Sequence, residues 1–399
     1  MLKLPNLTAA EPIPDAAQAE VDRILRTGDL FRYGSDQSPV ALLEAEFAQA
    51  LGTKFALAVS SCSAALFLSL KSLGLPREAK VLIPAFTFAA VPSAVVHADC
   101  IPMLCECGDD YRIDLTDFET KLPNCSAVII SHMRGHTSDM DAIMGLCDAA
   151  GVPVIEDAAH SLGTTWAGRN IGTIGAIGCF SFQSYKMLNA GEGGIMITDD
   201  EDLIAQAIIM SGAYEHNWQK HPVLHTAFAN WQNKLPLYNL RLNTLSAALI
   251  RPQLEALPGR VEAGRRNHDH VAATLADCPW ISVPASLPSE KRAPDSIQFN
   301  LINMSDEQVD EFVSQAASLG LKIQIFGRSD DNARAFWNWK FLSSNPDQPK
   351  TRAMLNRACD VRLPARLTLQ DCNAVSQAIL NAVNTTMRRN SEDLNTGYS

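Results

Sequence analysis

Short unbroken apolar runs alternate along this chain with stretches in which apolar residues recur every three or four positions. The first pattern predicts strands buried on both faces, the second helices with one buried side. Strands are predicted over 55–60, 81–87, 101–107, 127–131 and 152–157, from 177 onward, and over 195–198. Helices are predicted over 12–27 and 40–51, from residue 61 to about 73, and over 88–97, 140–150 and 201–210. Gly52 and Gly151 stand where the second and fifth of these helices should stop. A regular succession of strand and helix implies a mostly parallel sheet covered by helices on both faces, with ligands gathered at the carboxyl ends of its strands.

The rhythm changes after residue 210. Residues 211–236 read as an irregular polar and aromatic stretch in which His216, His221 and His225 are solvated loop side chains. A single long helix is expected from 243 through Leu257. Beyond it, strands over 280–283, 296–302 and 321–326 and helices over 307–319 and 369–383 make a smaller unit, ending in a frayed polar tail from Arg388. The fold class is therefore α/β: a three-layer α/β/α large domain with a mostly parallel mixed sheet over 1–250, plus a smaller C-terminal α+β domain over 251–399.

Composition narrows the function classes. With 399 residues, 47% apolar and 19% charged, the chain has the material for a large core. A net charge of −11 with no basic face argues against nucleic acid as a partner. The start carries no apolar segment of signal-peptide length and no run approaches a membrane span, so a cytoplasmic protein is expected. The ten cysteines are scattered, mostly in apolar contexts that suit reduced core thiols. Cys105-Glu-Cys107 has no second pair at zinc spacing, so no metal site is expected.

The strand ends carry the candidate chemistry. Lys186 sits in a turn between two apolar strands, ahead of the glycine-rich run 191–194. A lysine there is either a solvated loop charge or a desolvated amine able to condense with an aldehyde of a substrate or of pyridoxal phosphate. Ser61, Cys62 and Ser63 open a helix directly after a strand, which makes either an N-cap or an anion site built from free N–H groups and the helix dipole. Glu156 and Asp157 close an apolar strand, so at least one carboxylate lies inside and needs a partner: a cationic ring nitrogen, or the N–H groups of the next turn. Gly172, Gly175 and Gly178 precede a strand instead of joining a strand to a helix, which rules out a dinucleotide fingerprint.

Five segments in order, Pro84-Ala-Phe-Thr-Phe88, Glu156-Asp-Ala-Ala-His160, Ser181-Phe-Gln-Ser-Tyr-Lys186, Gly191-Glu-Gly-Gly194 and Tyr238-Asn-Leu-Arg241, resemble the DegT/DnrJ/EryC1/StrS family of pyridoxal phosphate (PLP)-dependent sugar aminotransferases, of the aspartate aminotransferase fold (fold type I). The resemblance runs from about Arg32 to Thr368. It implies Lys186 as the Schiff-base lysine, Asp157 as the partner of the pyridine nitrogen and His160 beside the ring. It also implies Phe88 stacked on the ring, Ser181 with Ser61, Cys62 and Ser63 at the phosphate, and Asn239 reaching the phosphate of a neighbouring subunit. Such a protein is a homodimer with shared active sites. Its substrates are an amino donor, glutamate or glutamine, and a keto-sugar or sugar aldehyde, nucleotide-linked or acidic. The chain departs from the family pattern in two places. Cys62 replaces a glycine, which brings a side chain to the phosphate turn, and Arg134 in His132-Met-Arg-Gly-His136 either recognises a substrate anion or pairs with a carboxylate. Lys186 stands where the family's dehydratases carry histidine, which argues against sugar dehydration or elimination. Lys186, Asp157 and Ser181 together argue against a non-catalytic regulator.

Overall fold

The computed structural model describes residues 4–32, 35–212 and 224–396, with side chains up to residue 388. Helices α1 (Asp15–Thr27) and α2 (Pro39–Leu51) precede the sheet, and each ends at a left-handed glycine, Gly28 and Gly52 with φ 71° and 75°, a conformation that a Cβ would penalise. The main sheet has seven strands: β1 (Phe55–Val59), β2 (Lys80–Pro84), β3 (Ile101–Cys105), β4 (Ala127–Ser131), β5 (Val154–Asp157), β6 (Ile177–Ser181) and β7 (Gly194–Thr198), in the spatial order β1-β7-β6-β5-β4-β2-β3. All point the same way except β7, which runs antiparallel between β1 and β6.

Side chains along these strands alternate between two helical layers, which is why the runs are apolar throughout. Leu57 and Val59 of β1 pack on one face with α3 (Cys62–Ser72) and α4 (Ala90–His97). Ala56 and Ala58 pack on the other with Phe47 of α2, Phe118 of α5 (Leu115–Lys121) and Ile143 of α6 (Met140–Ala150). After β7, α7 (Glu201–Met210) and α8 (His225–Trp231) return to the first face, and α9 (Thr244–Ile250) joins the second. The α/β expectation is met, with additional smaller sheets.

The second sheet has four strands, β8 (Ile281–Ser282), β9 (Ser296–Leu301), β10 (Gln324–Ile325) and β11 (Ala358–Arg362), ordered β8-β9-β11-β10 and all antiparallel. Its core is shared with α10 (Leu257–Leu275), α11 (Asp306–Ser318) and, after α12 (Pro349–Leu355), α13 (Leu369–Thr396). A three-stranded ribbon pairs Thr165–Trp166 with Arg169–Asn170 and with Glu290–Lys291, which fastens the later chain to the loop after β5.

Several expectations change. The single helix from 243 is two: α9 gives way to a 3-10 turn containing Pro252, and α10 restarts with Pro258 in its first turn, because proline lacks the N–H an unbroken helix needs. The stretch 211–236 includes α8, whose first residue, His225, is exposed; His216 and His221 lie outside the described residues, as do Tyr33 and Gly34. The last helix continues past 383 and past Arg388 to Thr396, where a frayed tail was expected. Among the described residues no helix is long and apolar enough to cross a membrane, and no cluster of three or more His, Cys, Asp or Glu is placed to hold a metal.

Candidate active site

The carboxyl ends of β4, β5 and β6 and the start of α3 surround a cavity of about 520 Å³. Ser61 is the N-cap of α3, its Oγ accepting from the Ala64 N–H at 3.1 Å. The N–H groups of Cys62 and Ser63, ahead of it, have no acceptor within the helix and carry its positive dipole end. Both residues line the cavity, as does Ser181 at the end of β6. β7 passes so close that a Cβ on Gly194 would stand 2.3 Å from the Ser61 carbonyl carbon and 2.4 Å from the Cys62 nitrogen. The glycine at the end of the 191–194 run is thus what lets the antiparallel strand lie against the turn that opens α3.

The acidic pair at the end of β5 divides its work between the two sheet faces, as successive strand residues must. Asp157 faces the cavity. Its Oδ2 accepts from Ser131 Oγ at 2.5 Å, and Ser131 in turn accepts from Thr87 Oγ1 at 2.8 Å; its Oδ1 accepts from the Ala159 N–H at 3.1 Å. Cys62 Sγ lies 3.8 Å from the same Oδ1, so the side chain standing in place of a glycine is turned toward the carboxylate. Burial and the Asp157 charge push the Cys62 thiol well up, which keeps it protonated. Glu156 points the other way and is fully buried. It accepts from His132 Nε2 at 3.1 Å and from the N–H groups of Gly172, Ile174 and Gly175 at 2.8, 2.7 and 2.7 Å. Burial works to raise its pKa, but His132 and the backbone donors outweigh it and hold the carboxyl below the usual range. The glycine-rich run 172–178 is therefore a carboxylate-wrapping loop.

Lys186 and His160 meet on the cavity wall. Lys186 Nζ lies 2.9 Å from His160 Nε2 and 3.2 Å from Nδ1, over the face of the ring. Burial lowers the lysine to about 8; Arg134 also disfavours its charge, while Asp295 and Asp157 favour it. His160 is pushed well below its ordinary value, first by burial and then by the charges of Lys186 and Arg134, so its ring is neutral near neutral pH. A partly neutral amine lying against a neutral imidazole is poised to take up a carbonyl or a proton. Phe88, 46% exposed, adds a flat apolar wall.

Of the residues singled out in the sequence, Ser61, Cys62, Ser63, Phe88, Asp157, His160, Ser181 and Lys186 all line this one cavity. Asn239 does not; it is exposed and lies outside the cluster in the single chain. Arg134 occupies a 3-10 turn after β4 with φ 54° and ψ 24°, backbone that few residues with a Cβ adopt. It both lines the cavity and pairs with Asp360 of β11. Sequence reasoning missed the Thr87–Ser131 relay behind Asp157, the Asp295 charge and two further arginines on the cavity wall, Arg334 and Arg362. A Ser closing the strand next to Asp157 was the one local signal available for the relay.

The site fits PLP. It offers an anion cradle at a helix N-terminus, a fixed carboxylate for a protonated ring nitrogen, a desolvated amine for the aldehyde and a flat wall for the ring.

Comparison with known proteins agrees. The chain is 35% identical over 244 residues, 60% of its length, to the spore coat polysaccharide biosynthesis protein SpsC of Bacillus subtilis, and the match takes in 61% of that relative. It is 28% identical over 341 residues to 3-amino-5-hydroxybenzoate synthase of Amycolatopsis mediterranei, covering 84% of this chain and 85% of the other. The aminotransferase TlmJ from Streptoalloteichus hindustanus has the same fold, with a TM-score of 0.83 at 21% identity over 97% of this chain and 100% of that one. Residues 13–380 match the DegT/DnrJ/EryC1/StrS aminotransferase family, and the chain belongs to it.

Proposed function

We propose that the protein is a PLP-dependent aminotransferase that passes an amino group from an amino acid to a keto-sugar or sugar aldehyde in two half-reactions at one site. The observation that carries this reading is the desolvated Lys186 amine, held near pKa 8 beside a neutral His160 in the same cavity as Asp157. When bound, PLP supplies an aldehyde that takes up amines and a ring that draws electron density from the adjoining carbon.

The chain's own residues do the rest. Ser61, Cys62, Ser63 and Ser181 bind the phosphate through backbone and hydroxyl donors. Asp157, oriented by Ser131 and the Ala159 N–H, would hold a proton on the ring nitrogen, and Phe88 would offer its face to the ring. Lys186 Nζ would receive the proton leaving the amino-bearing carbon of the donor and pass it to the adjoining cofactor carbon within the same half-reaction, and in the second half-reaction it would carry a proton the opposite way, onto the acceptor carbon. His160 stays uncharged and fixes the amine's position. Asn239 reaches the phosphate of a second copy, so the working unit is a homodimer with shared sites. The SpsC relative's part in polysaccharide biosynthesis supports a sugar as acceptor. The division into a large domain over 1–250 and a smaller one over 251–399, and a cytoplasmic location where the ten free cysteines stay reduced, belong to the same reading. Incubation with glutamate and a panel of keto-sugars, read by mass spectrometry, should give 2-oxoglutarate and an amino-sugar. Failure of every donor to react would overturn the reading.

A further inference from the structure

The cavity wall carries more positive charge than the phosphate cradle and the reacting amine account for. Arg134, Arg334 and Arg362 line it together with Lys186, four cations against the two carboxylates of Asp157 and Glu192. They arrive from three places: the turn after β4, the loop following β10, and the last residue of β11. Arg134 is neutralised by Asp360, whose Oδ1 also accepts from Gln298 Nε2 at 2.8 Å.

Arg334 and Arg362 form no ion pair among the described residues. Arg334 Nη1 reaches the Gln324 Oε1 at 3.5 Å, and Arg362 Nη2 the Tyr185 carbonyl at 3.3 Å, while the Nε of each is buried without a partner. Their guanidinium groups rest on aromatic rings, Arg334 5.8 Å from the centroid of Phe88 and 5.7 Å from that of Phe326, Arg362 4.8 Å from Tyr185. Stacking of this kind holds the planar forks in place and leaves N–H donors for an anion. Burial, reinforced by repulsion from Arg134, lowers Arg334 to about 10, although Asp360 and Asp295 pull the other way.

We propose that Arg334 and Arg362 form a carboxylate subsite, so that the donor is glutamate in preference to glutamine and the acceptor is a keto-sugar acid. The inference rests on the aminotransferase reading. In its two half-reactions donor and acceptor occupy one cavity in turn. A wall matched to the donor's distal carboxylate therefore needs a carboxylate on the acceptor as well, or two partly buried guanidinium groups go without an ion-pair partner.

The test uses the PLP-loaded protein and two neutral–acid pairs. Calorimetry compares D-glucuronate with D-glucose, and the first half-reaction, followed by keto acid released, compares glutamate with glutamine. The acid member should be favoured about tenfold or more in each pair, the discrimination expected of a charge-assisted hydrogen bond. Arg334→Gln and Arg362→Gln should bring both ratios toward one, Arg334→Lys and Arg362→Lys should retain part of them, and thermal unfolding checks that each variant is folded. Ratios near one in the unaltered protein, or ratios that survive both glutamine substitutions, would overturn the proposal. So would loss of binding of UDP, titrated alongside as a phosphate probe, in those variants with glucuronate binding intact, because the pair would then serve a phosphate. A protein that takes up no PLP or converts no donor defeats the aminotransferase reading instead, and calorimetry without cofactor still reads the subsite by itself.

Discussion

Glu156→Gln tests how the floor of the site is held. In the native chain Oε2 receives His132 Nε2 and the Gly172 N–H, and Oε1 receives the N–H groups of Ile174 and Gly175. A glutamine keeps one oxygen and sets an NH₂ group, which cannot accept, against the other two donors. Two hydrogen bonds to a charged acceptor are lost at about 1.5–3 kcal/mol each, a destabilisation of about 3–6 kcal/mol. That is a large part of a typical folding stability of about 5–15 kcal/mol. Urea unfolding followed by circular dichroism reads it as a lower midpoint at unchanged slope. The pH dependence has a definite sign. The folded pKa of Glu156 lies below its ordinary value of 4.5, so its contribution is fully present above that value and fades as pH falls through the folded pKa. The gap between native and variant protein should be widest near neutrality and shrink on acidification. A loss under about 1 kcal/mol at pH 7, the size of an average substitution, or a gap that does not narrow in acid, would refute the carboxylate-wrapping account.

Two further outcomes follow from the site. Because burial holds Lys186 at about 8, the rate at which PLP-free protein captures PLP should rise with pH and level off just above that value; a rate still climbing at about pH 10, as an ordinary lysine with a pKa of about 10.4 requires, contradicts it. If Asn239 completes a neighbouring site, Lys186→Ala and Asn239→Ala chains, each defective alone, should regain up to about a quarter of native activity when refolded together, since a mixed dimer keeps one intact site; no recovery places Asn239 outside the site.

How much of this was legible in the sequence depends on how far apart the partners lie in the chain. The strands and helices of the main sheet carry their periodicity locally, and the residues at the strand ends, from Ser61 to Lys186, are placed by that topology alone. The purpose of Gly172 and Gly175 was not legible, because the carboxylate they wrap is 16 to 19 residues upstream and the strand pattern does not say which of Glu156 and Asp157 faces them. Arg134 showed as an open choice, and its partner Asp360 is 226 residues away. β11 was missed because Ala358-Cys-Asp-Val-Arg362 has neither an unbroken apolar run nor a clean alternation, and its buried Asp360 is tolerated only through Arg134 and Gln298. Arg334 and Arg362 reach the cavity by tertiary packing, which no local pattern announces.

The central claim is that the Lys186 amine carries the chemistry. Its most direct test is to mix purified PLP-loaded protein with glutamate and follow both the visible absorbance of the lysine-bound cofactor and the release of 2-oxoglutarate, in the native chain and in Lys186→Ala. The native protein should bleach and release about one equivalent of 2-oxoglutarate per site, and Lys186→Ala, still folded, should slow release by a factor of about 10² or more, the least expected on losing a positioned acid–base group. A Lys186→Ala protein that releases 2-oxoglutarate at the native rate would contradict it.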